Sequence, residues 1–272
     1  MTLLTQTDLN PIPEIDYPES DGLPMSDNTK QFRWIVTIKE NLEIWFSDDE
    51  QVFVAGDLLW YPIEGDNKTA LAPDTMVVFG RPKGDRGSYK QWLEDNLAPQ
   101  VAFEILSPSN TQREMNAKRL AYEQFGVEEY YVYDPDRIIL QGWIRQGGGF
   151  VAIESMQGWV SPRLQIQFRL SESDLEIYRP DGRKFLTPVE LDERAERFRY
   201  EAALHQQRAE EQQRRAEEEQ QRAEAAEAQA RQSTGQMEQM ILNLLRSGVS
   251  IDQVALASGL PVEQIQALQT GM

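Results

Sequence analysis

The sequence predicts an α/β (α+β) fold: a mixed sheet flanked by helices, then a long C-terminal helix and a small helical tail. Apolar runs of strand length alternate with amphipathic helical patterns over residues 26–186, as in a sheet covered by helices. From residue 187 the chain consists largely of Glu, Gln, Arg and Ala, which is typical of a long solvated helix. We therefore divide the chain into an extended lead-in at 1–25, a main domain at 26–186, a long charged helix at 187–232 and a helical tail at 233–272.

The main domain begins with a predicted amphipathic helix. Ser26 or Asp27 can cap its N-terminus, and apolar side chains recur on one face at Ile35, Ile38, Leu42 and Trp45. Four strands are predicted after it, at residues 52–61, 74–79, 101–106 and 127–134. The third is a nearly continuous apolar run, which indicates a strand buried on both faces.

Further elements connect and follow these strands. A basic loop at 80–90 leads into a short predicted helix around 89–94. Asn110 or Thr111 can cap a helix that runs to about Phe125 and ends near Gly126. Residues 138–178 read as short strands and turns, which completes the predicted sheet.

The long helix opens with a capping box at Thr187, Pro188 and Glu190. Alanines recur at strict seven-residue intervals from Ala195 to Ala230, but the partner positions of this seam are mostly polar. The same register continues into apolar residues at Met237, Met240 and Leu244. Good coiled-coil seams carry branched apolar residues at both positions, so a coiled-coil homodimer and a solvated single helix both stay open.

Two short helices are predicted in the tail. Ser250 can cap the first, Gly259 ends it and Pro261 opens the second. A small core is predicted from Val254, Leu256, Leu260, Val262, Ile265 and Leu268. The second helix has no basic residue, and recognition helices need phosphate and base contacts. A protein contact or self-association is therefore favoured over DNA reading.

Composition excludes several classes of chemistry. The 272 residues include no cysteine and one histidine, His205, which excludes disulfides, thiolate catalysis, cysteine zinc sites and multi-histidine metal sites. The N-terminus does not resemble a signal peptide and no apolar stretch is long enough to span a bilayer. The sequence thus predicts a cytoplasmic protein without membrane contact.

Two acidic residues and one lysine stand out. Asp74 opens one apolar run, Glu104 lies inside another, and Lys118 follows in the first turns of a predicted helix. Burying a carboxylate without a partner is costly, and a divalent cation is a common reason to keep two together. Asp57 is a further candidate ligand or supporting residue. Read singly, Asp74 could cap a turn, and Glu104 could form a buried ion pair with Lys118.

Charge patterning limits how the protein could bind nucleic acid. The net charge is −18, whereas bulk affinity for nucleic acid comes mainly from Lys and Arg. Positive charge is nevertheless concentrated near the candidate residues, in the loop at 80–90 and at Arg113, Lys118 and Arg119. This arrangement favours weak or transient contact over tight, indiscriminate binding.

Four blocks of sequence in order resemble the Uma-type restriction endonuclease family of the PD-(D/E)XK nuclease superfamily. They are residues 72–78, 103–109, 118–122 and 126–135. The resemblance covers about residues 17–191 and not the helical tail. It implies a restriction-endonuclease-like core and hydrolysis of DNA with Mg²⁺, or with Mn²⁺.

The resemblance also implies roles for individual residues. Asp74 and Glu104 match the metal-binding acidic residues, and the backbone carbonyl of Ile105 matches a third ligand. The superfamily's usual lysine lies two residues after the second acid, where this chain has Leu106. In this family the lysine is found on the following helix, where Lys118 is the matching catalytic residue.

Glu114 matches an Asp that family members carry four residues before that lysine. With Lys118 and Tyr122 it shares one helix face, because the three are one turn apart. Two functions are favoured: an endonuclease that dimerises through its C-terminal helix, and an inactive nuclease-fold scaffold that binds a protein partner through its C-terminal helices. A nucleic-acid-binding module without catalysis is a third, which the acidic net charge disfavours.

Overall fold

The computed structural model describes residues 15–22 and 24–270, and its centre is a mixed six-stranded sheet. In spatial order its strands are β1 (Val52–Ala55), β3 (Thr75–Phe79), β5 (Val101–Ile105), β6 (Glu129–Asp134), β7 (Ile139–Gln146) and β8 (Gly149–Ala152). Only β5 and β6 run parallel; the other neighbours pair antiparallel. Two small two-stranded sheets pair β2 (Trp60–Tyr61) with β4 (Tyr89–Lys90) and β9 (Gln167–Leu170) with β10 (Leu175–Tyr178).

Helices cover both faces of the sheet, and strand alternation decides which residues meet each helix. On one face α1 (Thr29–Trp45) packs on odd-numbered residues of β5, such as Phe103 and Ile105. On the other face α2 (Gln112–Phe125) packs on even-numbered residues, such as Ala102. The predicted mixed sheet flanked by helices is thus confirmed.

Two predicted element limits are wrong in detail, and a third is confirmed. The N-cap of α1 is Asn28, whose side chain accepts hydrogen bonds from the N–H groups of Lys30 and Gln31, and not Ser26 or Asp27. The predicted helix at 89–94 is the two residues of β4 followed by one 3₁₀ turn, Gln91–Leu93. The prediction for α2 is confirmed: Thr111 forms its capping box with Glu114, and Gly126 ends it at a φ of 101°.

The predicted strand at 52–61 is broken in the middle. Strand β1 ends at Ala55, and Asp57 has a φ of 50° with its N–H donated to the carbonyl of Pro73. That conformation turns the chain, so β2 joins a different sheet. Asp57 therefore stands at a bend beside Asp74, not inside a strand.

The chain divides into two compact units, the first ending at Arg194 and the second beginning at Ala195. The helix α3 (Pro188–Arg246) opens with the predicted capping box at Thr187 and continues past the predicted end near Arg231. The four-part division drawn from the sequence stays a prediction.

In the second unit, α4 (Ile251–Ser258) and α5 (Val262–Thr270) form the two predicted short helices. Their small core centres on Ile241, Val254 and Ile265. Leu256 is 90% exposed, so its predicted place in that core is wrong. Across residues 15–22 and 24–270, no helix combines the length and hydrophobicity needed to cross a membrane.

Candidate active site

Asp74 stands where β3 stops pairing with β5. The last paired residues are Thr75 and Phe103. The next N–H of β5 that points toward β3 is that of Ile105, and β3 has no residue to pair with it there. The Asp74 side chain takes its place, and Oδ2 accepts that N–H at 2.6 Å. Asp74 is only 8% exposed. The end of an interior strand thus fixes a buried carboxylate beside β5.

Glu104 lies within β5 on the face that α2 covers. It is 3% exposed, and two side chains of α2 contact its carboxylate. Lys118 Nζ donates to Oε2 at 2.7 Å, and the Tyr122 hydroxyl donates to Oε1 at 2.5 Å. Lys118 and Tyr122 are one helical turn apart, which is why both reach one acid.

Asp74 and Glu104 bring two acidic groups to a site with one basic group, that of Lys118. Burial raises the pKa of Asp74 well above its ordinary value, and the charge of Glu104 raises it further. The Ile105 N–H and Lys118 act in the opposite direction without reversing the shift. Two carboxylates therefore share a water-poor space with one ammonium group, a charge excess that a bound cation would relieve.

Lys118 and Tyr122 keep their protons in this setting. Burial lowers the pKa of Lys118, but the charge and hydrogen bond of Glu104 outweigh it, so the pKa lies above its ordinary value. Burial and the charge of Glu104 raise the pKa of Tyr122 well above its usual range. Both side chains are therefore hydrogen-bond donors to Glu104 at neutral pH.

A cavity of about 400 Å³ opens beside these residues. Its wall includes Lys118 and the acidic residues Asp21, Asp27, Asp57 and Asp74. Burial and the charge of Asp21 raise the pKa of Asp57, whereas Lys118 lowers it. The cavity is thus strongly acidic around a single lysine, and Asp57 lies within electrostatic range of Asp74 and Glu104.

The carbonyl of Ile105, the third expected ligand, accepts a hydrogen bond from Gln31 Nε2 at 2.8 Å. Gln31 lies in the first turn of α1 and is buried. Gln31 was not predicted from the sequence as a residue of the site. The signal was its spacing, because Gln31 precedes Trp34, Ile35 and Ile38 on the apolar stripe of the helix.

Two other groups of predicted residues have different partners. Glu114 accepts the Thr111 N–H in the capping box, so it serves the start of α2 and does not contact Glu104. In the basic loop, Arg81 and Arg86 both donate to Glu94. Much of the positive charge in that loop is therefore already neutralised.

The donor set suits a hard divalent cation. Among the described residues, no three Asp, Glu or His side chains converge on a common metal position. Mg²⁺, however, is usually held by one or two carboxylates and keeps several waters. The carboxylates of Asp74 and Glu104 and the carbonyl of Ile105 are all oxygen donors, so the residues present fit Mg²⁺ or Mn²⁺.

Comparison with known proteins assigns the chain to a family. A comparison with curated proteins finds no match. A crystal structure of a putative nuclease belonging to DUF820 from Anabaena variabilis ATCC 29413 is similar, with 17% identity and a TM-score of 0.39, over 51% of this chain and 74% of that chain. Residues 23–209, more than half of the chain, match the Uma2 family, described as "Putative restriction endonuclease". The chain therefore belongs to the Uma2 family of putative restriction endonucleases.

Proposed function

We propose that this protein is an endonuclease that hydrolyses DNA phosphodiester bonds with Mg²⁺, or with Mn²⁺. The observation that carries the proposal is the pair of buried carboxylates, Asp74 and Glu104, beside the ammonium of Lys118. Family membership supports the reaction class, since the family is described as "Putative restriction endonuclease".

In this proposal Asp74, Glu104 and the carbonyl of Ile105 hold the cation. A bound divalent cation would lower the pKa of a coordinated water and offset negative charge on the scissile phosphate. Asp74 keeps its orientation through the Ile105 N–H, and Glu104 keeps its orientation through Tyr122. Each oxygen of Glu104 accepts one hydrogen bond and keeps a second lone pair for a cation, but the ammonium of Lys118 would repel a cation at Oε2 unless it moved away.

Lys118 is the group best placed to move. Its side chain is 36% exposed, whereas Glu104 is almost fully buried, so the ammonium can turn toward the cavity that it lines. There it would donate to the attacking water or to a phosphate oxygen. Removing one donor of this kind costs roughly 10²–10³ in rate in characterised enzymes.

Cleavage of supercoiled plasmid by purified protein tests the proposal. We expect cutting only with added Mg²⁺ or Mn²⁺, and a loss of at least ~10² with Asp74→Ala and with Lys118→Ala. Lys30→Ala is the matched control, because Lys30 pairs with Asp136 on the surface, outside the cavity. Cutting that survives both site substitutions would indicate another site or a contaminant. Folded wild-type protein that neither cuts nor binds metal would favour the inactive scaffold.

We also propose that α3 pairs with a second copy of the chain. Exposed alanines at seven-residue intervals lead into Met237 and Met240, which are exposed apolar residues in the same register. Contacts within the helix, such as Glu211 with Arg215, are equally compatible with a solvated single helix. Sedimentation equilibrium should show a dimer that weakens with Met237→Gln and Met240→Gln together; a wild-type monomer at all concentrations would contradict it.

A further inference from the structure

Gln31 uses both ends of its amide to connect α1 to the candidate active site. Nε2 donates to the carbonyl of Ile105 at 2.8 Å, and Oε1 accepts the N–H of Asp27 at 2.8 Å. The residue is 6% exposed and precedes the buried apolar residues Trp34, Ile35 and Ile38 on the covered side of the helix. A buried amide is costly unless both of its ends are paired, and here one of its partners is a proposed metal ligand.

Both backbone polar groups of Ile105 are held by side chains. Its N–H donates to Asp74 Oδ2, while its carbonyl accepts from Gln31. Glu104 precedes it directly in β5, so all three proposed ligands are attached to, or hydrogen-bonded to, the same short stretch of backbone. Rotating the Ile105 carbonyl would therefore disturb the relation between the ligands.

Asp27, which donates its N–H to Gln31, is itself bonded to residues that follow β5. The carboxylate of Asp27 accepts hydrogen bonds from the hydroxyls of Ser107, at 2.5 Å, and Ser109. Ser107 and Ser109 follow β5 directly in the chain. The start of α1 and the end of β5 are thus linked twice, once through Asp27 and once through Gln31.

We infer that Gln31 is a positioning residue, which orients the Ile105 carbonyl for the cation and keeps it in register with Asp74 and Glu104. The inference rests on the proposed function. Residues that orient metal ligands typically contribute ~10–100-fold to metal affinity or activity. A carbonyl oxygen has two lone pairs, so it can accept from Gln31 and still bind a cation.

A merely structural role would have a different consequence. If Gln31 only satisfies a buried carbonyl, its loss lowers the free energy of unfolding but leaves metal affinity unchanged. If it positions the carbonyl, its loss raises the Kd for metal even in protein that remains fully folded. Metal affinity and stability must therefore be measured on the same variants.

The chain offers a matched control on the same helix. Asn41 is also a buried amide of α1, and its side chain bonds to backbone groups of Thr37 and Leu186, which do not belong to the candidate site. Ten residues of helix separate it from Gln31, which corresponds to about 15 Å along the axis. Asn41→Leu removes the same kind of group as Gln31→Leu without touching the candidate site.

The experiment is calorimetric titration of the full chain with Mn²⁺, for wild type, Gln31→Leu, Asn41→Leu and Asp74→Ala, with plasmid cleavage measured against Mn²⁺ concentration. We expect Gln31→Leu to raise the Kd for Mn²⁺ by ~10–100-fold, with cleavage partly restored at high Mn²⁺. Asn41→Leu should lose stability but keep the wild-type Kd. Gln31→Met, which keeps the unbranched shape, replaces the Leu variant if that variant does not fold.

The outcomes separate this inference from the function on which it rests. Wild-type binding that Asp74→Ala abolishes and Gln31→Leu leaves unchanged would overturn the role of Gln31 while the metal site stands. An equal loss of affinity in Asn41→Leu would also overturn it, since the effect would then be general. Wild-type protein that binds no Mn²⁺ and cuts no DNA would overturn the proposed function, and the inference with it.

Discussion

Replacing Asp74 with asparagine should make the metal-free protein more stable at neutral pH. The Asp74 carboxylate is buried beside Glu104, and burial is the main cause of its raised pKa. Asparagine has nearly the same shape and can still accept the Ile105 N–H, but it carries no charge. The substitution thus removes the repulsion and the desolvation cost while it keeps the hydrogen bond.

Two opposing effects set the size of the change. A hydrogen bond to a charged acceptor contributes about 1.5–3 kcal/mol and one to a neutral acceptor about 0.5–1.5 kcal/mol, so weakening the Ile105 contact costs about 1 kcal/mol. Burial and repulsion outweigh that contact, because the pKa of Asp74 is raised overall. We expect a net gain at pH 7.5, since a rise of one unit in the folded-state pKa corresponds to about 1.4 kcal/mol of stability gained by removing the charge; each kcal/mol corresponds to roughly 2–4 °C in Tm for a unit of this size.

The gain should depend on pH with a definite sign. Because the pKa of Asp74 is raised in the folded state, folding favours its protonated form. Below the ordinary aspartate pKa both states are protonated and this penalty disappears. As the pH rises toward and through the folded pKa, ionisation costs the wild-type protein stability. Asp74→Asn should therefore match wild type in acid and exceed it at neutral pH.

Urea unfolding in EDTA at several pH values measures this difference. Asp66→Asn is the control with opposite sign: hydrogen bonds from Thr69 and from backbone N–H groups lower the pKa of Asp66. Its stabilising effect is present at neutral pH and lost as the pH falls through the lowered pKa, so Asp66→Asn should destabilise at neutral pH. An Asp74→Asn variant less stable than wild type at pH 7.5, or a gain that does not shrink toward acid, would refute the reasoning.

Two further substitutions test a hydrogen bond and the C-cap of α2. Tyr122→Phe removes a hydrogen bond to a buried carboxylate, so it should lower the free energy of unfolding, measured in urea, by about 1.5–3 kcal/mol. The control Tyr61→Phe loses only a neutral bond to Pro18 and should cost about 0.5–1.5 kcal/mol; equal losses would contradict the charged character of the Tyr122 contact. Gly126→Ala should lower stability by about 1–2 kcal/mol, measured the same way, because a left-handed conformation is strained for any side chain; an unchanged midpoint would count against this C-cap.

Local signals explain which elements could be predicted from sequence. The start and end of α2 follow from residues close in the chain, the capping box at Thr111 and Glu114 and the left-handed glycine at Gly126. The prediction of one continuous strand at 52–61 is wrong for the opposite reason. Its apolar pattern is continuous, but the bend at Asp57 depends on a hydrogen bond to Pro73, which is distant in sequence.

In the candidate site, too, local relations could be predicted and contacts between distant residues could not. Lys118 and Tyr122 could be placed on one helix face from their spacing, and a Glu104–Lys118 ion pair was a sequence-based alternative, but the bond from Tyr122 to Glu104 was not predicted. Gln31 could not be predicted, because its importance comes from a contact with Ile105 across 74 residues of chain. A polar residue on an apolar helix face indicates burial with a partner, but it does not say which partner.

Under the proposed function, the charge around the cavity would link cation binding to DNA binding. Asp21, Asp27, Asp57 and Asp74 line the space that a phosphate would have to enter, and Lys118 is the one cationic residue lining this wall among those described. A polyanion would be repelled there unless a cation offsets part of that charge, since like charges in a water-poor cleft interact strongly. The acidic net charge is then compatible with a DNA substrate, provided that metal and DNA bind together. The excess of carboxylates that makes the metal-free site unstable is also what would make DNA binding depend on the metal.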